Sequence, residues 1–344
     1  MSTYLRTAAL ICGIVLLAGL CGCTPGGLVG PGSSDDTSVV QALGRPPSLP
    51  DASGVIFYVD LLGAAVTSYR VDWNGQNHQA VPVRLYSGYD VAAVGAKRCF
   101  VYVVLDTVED HHLAAAWEDA SVAHDPLTGL EAFRRAGAPS ISPDGTKIAF
   151  SGTLIGAVQG DYYIADLVPD ADGLPSGVAN VVRVCPSGYT RPSWSPDGQW
   201  LAFEGGHALD VVRAQADAAP AEIVPGDPAD IYYVAWSPPL SGEPNGRIAF
   251  SRDVIKKWVV GWEVCTVRPD GTGLVRVTTS TNTKTAYNKC AAWSPDGKQI
   301  AFSGRMSGGL ADTIYRTAAD GSKPSVAVAA ALGEHTAYGL RWVP

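Results

Sequence analysis

Tyrosine recurs in this sequence at one place in a repeating pattern, and charges travel with it. Tyr89, Tyr189, the pair Tyr232 and Tyr233, Tyr287 and Tyr338 each stand just before or within a short apolar segment. Asp90, Arg191, Asp230, Lys289 and His335 stand beside them. A ring with a polar tip offers a large contact area, so tyrosines among mixed charges suit a ligand- or protein-binding surface. The plainer reading is that tyrosines at strand starts pack between layers of the fold. A cation next to the rings, Arg191 or Lys289, favours a carboxylate-bearing ligand or an acidic partner segment.

Covalent chemistry finds less support. There is no G-x-S-x-G nucleophile elbow, no H-E-x-x-H, no EF-hand loop and no phosphate-binding P-loop. His111, His112, His207 and His335 fall in segments that share one predicted face. The adjacent pair His111 and His112 must point opposite ways in an extended strand, which works against joint metal ligation. Neither a metal site nor a cofactor is expected.

The elements that must position these residues follow from a repeat. Ala291 to Gly304 reads AAWSPDGKQIAFSG, which is an apolar strand, a tight turn and a second strand. Pro295 presets φ, Asp296 can accept backbone N–H bonds, and Gly297 tolerates φ > 0. Ser140 to Gly152 and Ser193 to Gly205 repeat the unit, and Ala235 to Asp253 repeats it with a longer turn. The hairpin serines Ser142, Ser195, Ser237 and Ser294 are 53, 42 and 57 residues apart. Repeats of about 40–50 residues holding several short strands predict a β-propeller.

Each blade of a propeller is a four-stranded meander. Asn74-Gly75 marks a hairpin in the first blade, with Ala80 to Arg84 as its outer strand. Asp125 to Gly129 reads as the turn before the outer strand of the second. Asp270-Gly271 and Asp320-Gly321 read as the same turn in blades five and six. Tyr338 to Pro344 is an inner strand without a sequel, and the first blade, starting at Gly54, lacks an inner strand. The C-terminal strand is therefore expected to complete blade one and close six blades into a ring, removing an open sheet edge. Trp194, Trp236, Trp293 and Trp342 share one repeat position and should pack between blades. The aspartates Asp144, Asp197 and Asp296 read as turn residues, not as calcium ligands.

With the ring in place, the tyrosines open onto the face where connections between blades meet the loops between second and third strands. Those loops carry Asp106, Glu109 and Asp110, then Arg252, Lys256, Lys257, Trp258 and Arg305. Arg191 and Lys289 lie early in inner strands, and at least one should face the channel.

The W-S-P-D-G-x-x-I-A-F pattern over Gly54 to Pro344 resembles the TolB-type repeat, a WD-like propeller repeat. The resemblance implies an exported propeller that binds partner proteins; the same repeat also occurs in propellers of prolyl-peptidase-like enzymes and pectate-fragment lyases. TolB-type proteins carry an α/β domain before the propeller, whereas only a tether is expected before this one.

Residues 1–22 resemble a signal peptide, with Arg6 before the apolar stretch Ala8 to Leu20. Leu20-Cys21-Gly22-Cys23 resembles a bacterial lipobox with Cys23 as the lipidated residue. Residues 23–53, rich in Gly, Pro, Ser and Asp, read as a tether. Net charge is −8 with no basic stripe, which excludes nucleic acid as the expected partner. Cys99, Cys185, Cys265 and Cys290 lack metal-site spacing and read as small buried residues.

The sequence thus predicts an all-β, six-bladed propeller at 54–344, monomeric, exported to the periplasm or cell surface and membrane-anchored. It should act as a non-catalytic binding module for an envelope protein or cell-wall component through Tyr89, Tyr189, Arg191, Tyr232, Tyr233, Tyr287, Lys289 and Tyr338. The alternative is a carbohydrate- or lactone-acting enzyme with its site at the channel mouth.

Overall fold

The computed structural model describes residues 52–62, 65–86, 88–107, 110–186, 190–226, 230–256, 259–279, 287–305, 312–323, 325–330 and 336–344. The described strands form four four-stranded antiparallel sheets and one eight-stranded sheet, in which a parallel bridge between His111 and Arg135 joins two four-stranded antiparallel meanders, giving six meanders. Blade one joins Thr336–Val343 to Val55–Leu62, Ala65–Asp72 and Gln79–Ala80. Blade two is Tyr89–Val94, Lys97–Leu105, His111–Trp117 and Ala123–His124; blade three is Phe133–Ile141, Lys147–Leu154, Asp161–Pro169 and Pro175–Pro186. Blade four is Ser193–Trp194, Trp200–Gly205, Ala208–Arg213 and Ala221–Val224. Blade five is Ile231–Trp236, Ile248–Lys256, Val259–Val267 and Val275–Arg276; blade six is Lys289–Trp293, Gln299–Gly304, Thr313–Ala318 and Val326–Ala330.

The repeated turn forms as its chemistry dictates. In three blades the serine hydroxyl (Ser142, Ser195, Ser294) donates to the aspartate two residues on and accepts the N–H five residues on. The aspartate Oδ1 also accepts the N–H of Thr146, Gln199 or Lys298. Gly145, Gly198 and Gly297 take φ of 73°, 67° and 68°, which a side chain would resist. In blade five Ser237 keeps the bond from Arg247 N across its longer turn.

The I-A-F triplet of each second strand explains how blades stack. Side chains alternate across a strand, so two of the three point one way and one the other. Ile148 and Phe150 join the core between blades two and three, whereas Ala149 joins the core with blade four. Ile248 and Phe250 face blade four and Ala249 faces blade six. Ile300 and Phe302 face blade five and Ala301 faces blade one. Large residues thus point to the preceding blade and the small alanine to the following one, where it leaves room for the neighbour's bulk. The six clusters join consecutive blades all the way round, including six to one. Burying each Phe contributes about 1.5–3 kcal/mol.

Thr336–Val343 closes the ring by pairing with Val55–Leu62, from Val55↔Val343 to Leu61↔Thr336. Polar contacts hold it on both flanks. Toward blade two, Arg341 Nε donates to Asp90 Oδ1 at 2.9 Å and its Nη2 to the Tyr89 carbonyl at 2.7 Å. Toward blade six, Ala337 N donates to Asp312, a fully buried carboxylate that also takes Lys289 Nζ at 3.2 Å and Arg305 Nε at 2.8 Å.

Two boundaries differ from expectation. The outer strand of blade one is only Gln79–Ala80, because Pro82 has no N–H for a ladder and the Leu85 N–H goes to the Ser68 hydroxyl. In blade two the chain already reverses after Trp117, where Ala120 N donates to the Trp117 carbonyl and Asp119 accepts Ser121 N. Asp125 to Gly129 therefore follows the outer strand Ala123–His124 instead of preceding it. The tryptophans mostly follow expectation: Trp194 and Trp293 are buried and donate to the preceding blade at Ser140 O and Ala235 O. Trp236 differs, its indole turning to Asn245 O within the long turn of its own blade. Cys99, Cys185, Cys265 and Cys290 are buried free thiols.

Deleting Tyr338–Pro344 is expected to unfold or oligomerise the protein, since it exposes the edge of Val55–Leu62 and strips Asp90 of Arg341. Asp312→Ala should cost about 3–5 kcal/mol, because it leaves the buried Lys289 charge uncompensated. Lys289→Met should cost less, since Arg305 still pairs with Asp312. Denaturant unfolding with light scattering checks both; a truncated monomer of unchanged stability would contradict the closure.

Candidate functional site

The inner strands carry an irregularity that aims side chains at the ring axis. Ala138, Tyr233, Cys290 and Gly339 all take positive φ, at 51°, 57°, 56° and 64°. Each stands four residues before the hairpin serine or, for Gly339, before Val343 at the equivalent position. Strand register slips at each of them. Such a bulge adds a residue and re-aims its neighbours. Left-handed backbone costs an L-residue about 1–2 kcal/mol, which only Gly339 avoids. In blade four the same position is held by Arg191.

Tyr233 sits on one of these bulges, and 37% of its surface reaches solvent. The surrounding walls still push its hydroxyl well above the usual tyrosine range, burial being the main cause, with Cys290, Tyr338, Glu204 and Tyr232 adding to it. Both facts fit a ring that meets water only inside a narrow channel. Cys290 and Tyr338, which act on it electrostatically, stand in the inner strands of blades six and one.

The other expected residues divide by burial. Tyr89 is fully buried under Arg341, whose guanidinium carbon lies 5.3 Å from the ring centre, and its hydroxyl has no hydrogen-bond partner among the described residues. Burial pushes that hydroxyl up. Arg191 Nη1 lies 3.7 Å from Asp90 Oδ1 without a hydrogen bond of its own. Asp90 thus gathers Arg341, Arg191 and the Ile141 N–H from three other blades. Lys289 is 4% exposed and paired with Asp312, its Nζ also 4.0 Å from the Tyr338 ring centre. It is therefore a structural cation and not the exposed one its sequence position suggests. Arg305 likewise serves Asp312 and lies 5.7 Å from the Tyr287 ring centre. Tyr189, His335 and Cys23 lie outside the described residues, as do Glu109, Lys257 and Trp258.

The histidines part as strand alternation requires. His112 is held between Asp106 at 2.7 Å and Asp125 at 2.5 Å, while His111 approaches Gly137 of blade three. Burial works to lower the His112 pKa, but hydrogen bonds donated to both aspartates outweigh it and raise it.

Where blades four, five and six meet, the described side chains are aromatic and acidic. Tyr232 and Trp262 have ring centres 5.6 Å apart, Tyr233 and Trp262 6.4 Å, and Trp262 and Tyr287 5.6 Å. Asn288 N donates to the Trp262 carbonyl and pins Tyr287 beside it. The Tyr232 hydroxyl donates to Asp230 at 3.0 Å, and His207 Nδ1 is 2.7 Å from the same carboxylate. The Glu204 carboxyl is pushed up to about 8, mainly by burial and then by Asp230.

Sequence reasoning singled out Asp230, His207 and Arg305 here but missed Trp262, Glu204, Asp253 and Asp312. One signal was available: Glu204 occupies the position after the I-A-F phenylalanine, where other repeats carry Ser151, Ser251 and Ser303. A carboxylate replacing a repeat serine is a departure that repeat packing does not require.

Glu204 yields a signed pH prediction. Between the ordinary value of 4.5 and about 8 the folded chain keeps a proton that the unfolded chain has lost. Raising pH through that window therefore favours unfolding, by about 1.4 kcal/mol per pH unit for one such proton. Glu204→Gln should flatten the decline and leave the protein more stable than the parent at the upper end. Thermal melts of both proteins across the window measure the difference; parallel curves would refute it.

No family model matches the sequence, and no curated protein matches it. Among solved structures, TolB from Acinetobacter baumannii aligns with a TM-score of 0.60 at 18% identity, covering 89% of this chain and 70% of its own. Hydrazine synthase from Kuenenia stuttgartiensis aligns at 0.55 and 12% identity, over 86% of this chain and 47% of that one. An oligogalacturonate lyase from Vibrio parahaemolyticus reaches 0.43 at 13% identity, over 82% and 75% of the two chains. At such identities the likeness is one of fold, and the fold of this chain is that of a TolB-like β-propeller.

Proposed function

We propose that the chain is an exported, membrane-tethered propeller that works as a non-catalytic binding module, docking a protein or cell-wall component of the envelope at its tyrosine-lined mouth. The observation that carries this reading is Tyr233. It is a large ring held in left-handed backbone, open to solvent, where inner strands of three blades converge. The bulge recurs at Ala138, Cys290 and Gly339, but at Tyr233 it carries a large ring to solvent, where contact with a partner would bury it. The fold supports a binding module, since propellers of this kind present an axial mouth on a rigid ring.

Ser53 O accepts the Trp342 indole N–H, and Gly54 abuts Val343 O, at the end of blade one that carries the hairpin turns. Among the described residues no helix is long and apolar enough to cross a membrane, so attachment in this reading rests on acylation of Cys23.

Two measurements test the proposal. Mass spectrometry of the membrane-associated protein should find an acylated N-terminal Cys23, and Cys23→Ser should move the protein to the soluble fraction. The mature domain should retain one envelope component reproducibly, and Tyr233→Ala should weaken that retention by about 2 kcal/mol or more with folding intact. Equal retention by Tyr233→Ala, or contacts mapped to the turn face, would overturn the mouth as the binding site.

A further inference from the structure

The cations expected to give the mouth its character are already spent within the fold, Arg191 and Arg341 on Asp90, Lys289 and Arg305 on Asp312. Three of them also cover rings, Lys289 that of Tyr338, Arg305 that of Tyr287 and Arg341 that of Tyr89. Among the residues whose side chains are described, no lysine or arginine covers Tyr232, Tyr233 or Trp262. Those three rings surround a corner whose acids are only partly matched. Asp230 is engaged by Tyr232 and His207. Asp253, the cross-strand partner of Trp262, takes the Trp262 indole N–H, but its Oδ1 is enclosed and without a hydrogen-bond partner.

A second orphan lies on the same side of the strand. Ser251 is two residues from Asp253 and directly opposite Tyr232 in the ladder. It is fully buried, and its hydroxyl has no partner among the described residues. Leaving such a group unpaired costs about 1–3 kcal/mol. An acceptor oxygen, a hydroxyl and three ring faces together complement one kind of group: a positive charge that also donates hydrogen bonds. A quaternary ammonium satisfies the rings but not the oxygens. A carboxylate is repelled by both.

We infer that the corner formed by Tyr232, Tyr233, Trp262, Asp253 and Ser251 is a binding site for an alkylammonium group, either a free amine or a lysine side chain of a docked partner. The inference deepens the proposed mouth function and rests on it only for the partner. Burial and Asp230 both raise the Asp253 pKa, and a bound ammonium would relieve that unfavourable field. Trp262 and Tyr232 supply the cation–π attraction, strongest over a tryptophan face away from bulk water.

The test is a titration of the folded mature domain followed through the Trp262 indole N–H in nitrogen-correlated NMR spectra, assigned with Trp262→Phe. The probes are putrescine, Nα-acetyl-lysine-N-methylamide, tetramethylammonium and butyrate at constant ionic strength. Putrescine or the lysine derivative should shift the signal saturably, tetramethylammonium more weakly and butyrate not at all. Tighter binding of putrescine would point to a free amine, tighter binding of the lysine derivative to a partner's lysine. Asp253→Asn should weaken binding about tenfold. Tyr233→Ala, at an exposed position, should weaken it also if the Asp253 variant folds poorly. No saturable shift with either amine, or equal affinity in the variants, overturns the inference. Amine binding without retention of any envelope component would instead count against the docking function while leaving this site intact.

Discussion

Everything in this fold depends on strands that are bulky on one face and small on the other. In Ile148-Ala149-Phe150, Ile248-Ala249-Phe250 and Ile300-Ala301-Phe302 the period-two alternation sends two large side chains backward and a methyl group forward. Each blade is both a wedge and a recess, so sheets stack in one direction only. A row of such sheets has two unsatisfied ends. Thr336–Val343 removes both by serving as the inner strand of the first blade. The closure is stabilised by hydrophobic packing of Trp342 and Leu340 and made specific by Asp90 and Asp312, which accept from groups on the closing strand.

The same two carboxylates shape the mouth. Burying a charge is unfavourable unless it is matched, so Asp90 draws in Arg341 and Arg191, and Asp312 draws in Lys289 and Arg305. The ring is thereby cross-linked near its axis, and the basic residues there are left with little charge to offer. What stays unmatched lies on blades four and five, around Glu204, Asp230 and Asp253. The electrostatic character of the mouth is thus a by-product of how the ring is held shut.

The inner-strand bulges link architecture to function in a second way. A regular inner strand would bury alternate residues between blades. One extra residue in left-handed backbone interrupts that alternation near the axis. Where glycine or alanine occupies the bulge, nothing more is required of it. At Tyr233 the same backbone carries a large ring into the channel, so a structural device of the repeat becomes a candidate contact.

The sequence by itself determined the repeat, the turn chemistry and the pairing of the C-terminal strand with the first blade, because these rest on local spacing and on period-two alternation. It also placed tyrosines before the inner strands, where blades connect. Only the tertiary structure decided which of those residues are open. Tyr89 and Tyr233 occupy similar sequence contexts, yet one lies beneath Arg341 and the other reaches the channel, a difference made by a bulge and a neighbour from the far end of the chain. The sign of the mouth was likewise beyond sequence reading. Arg191 and Lys289 count as cations along the chain, but Asp90 and Asp312, each about a hundred or about twenty residues away in sequence, meet them only once the ring is formed.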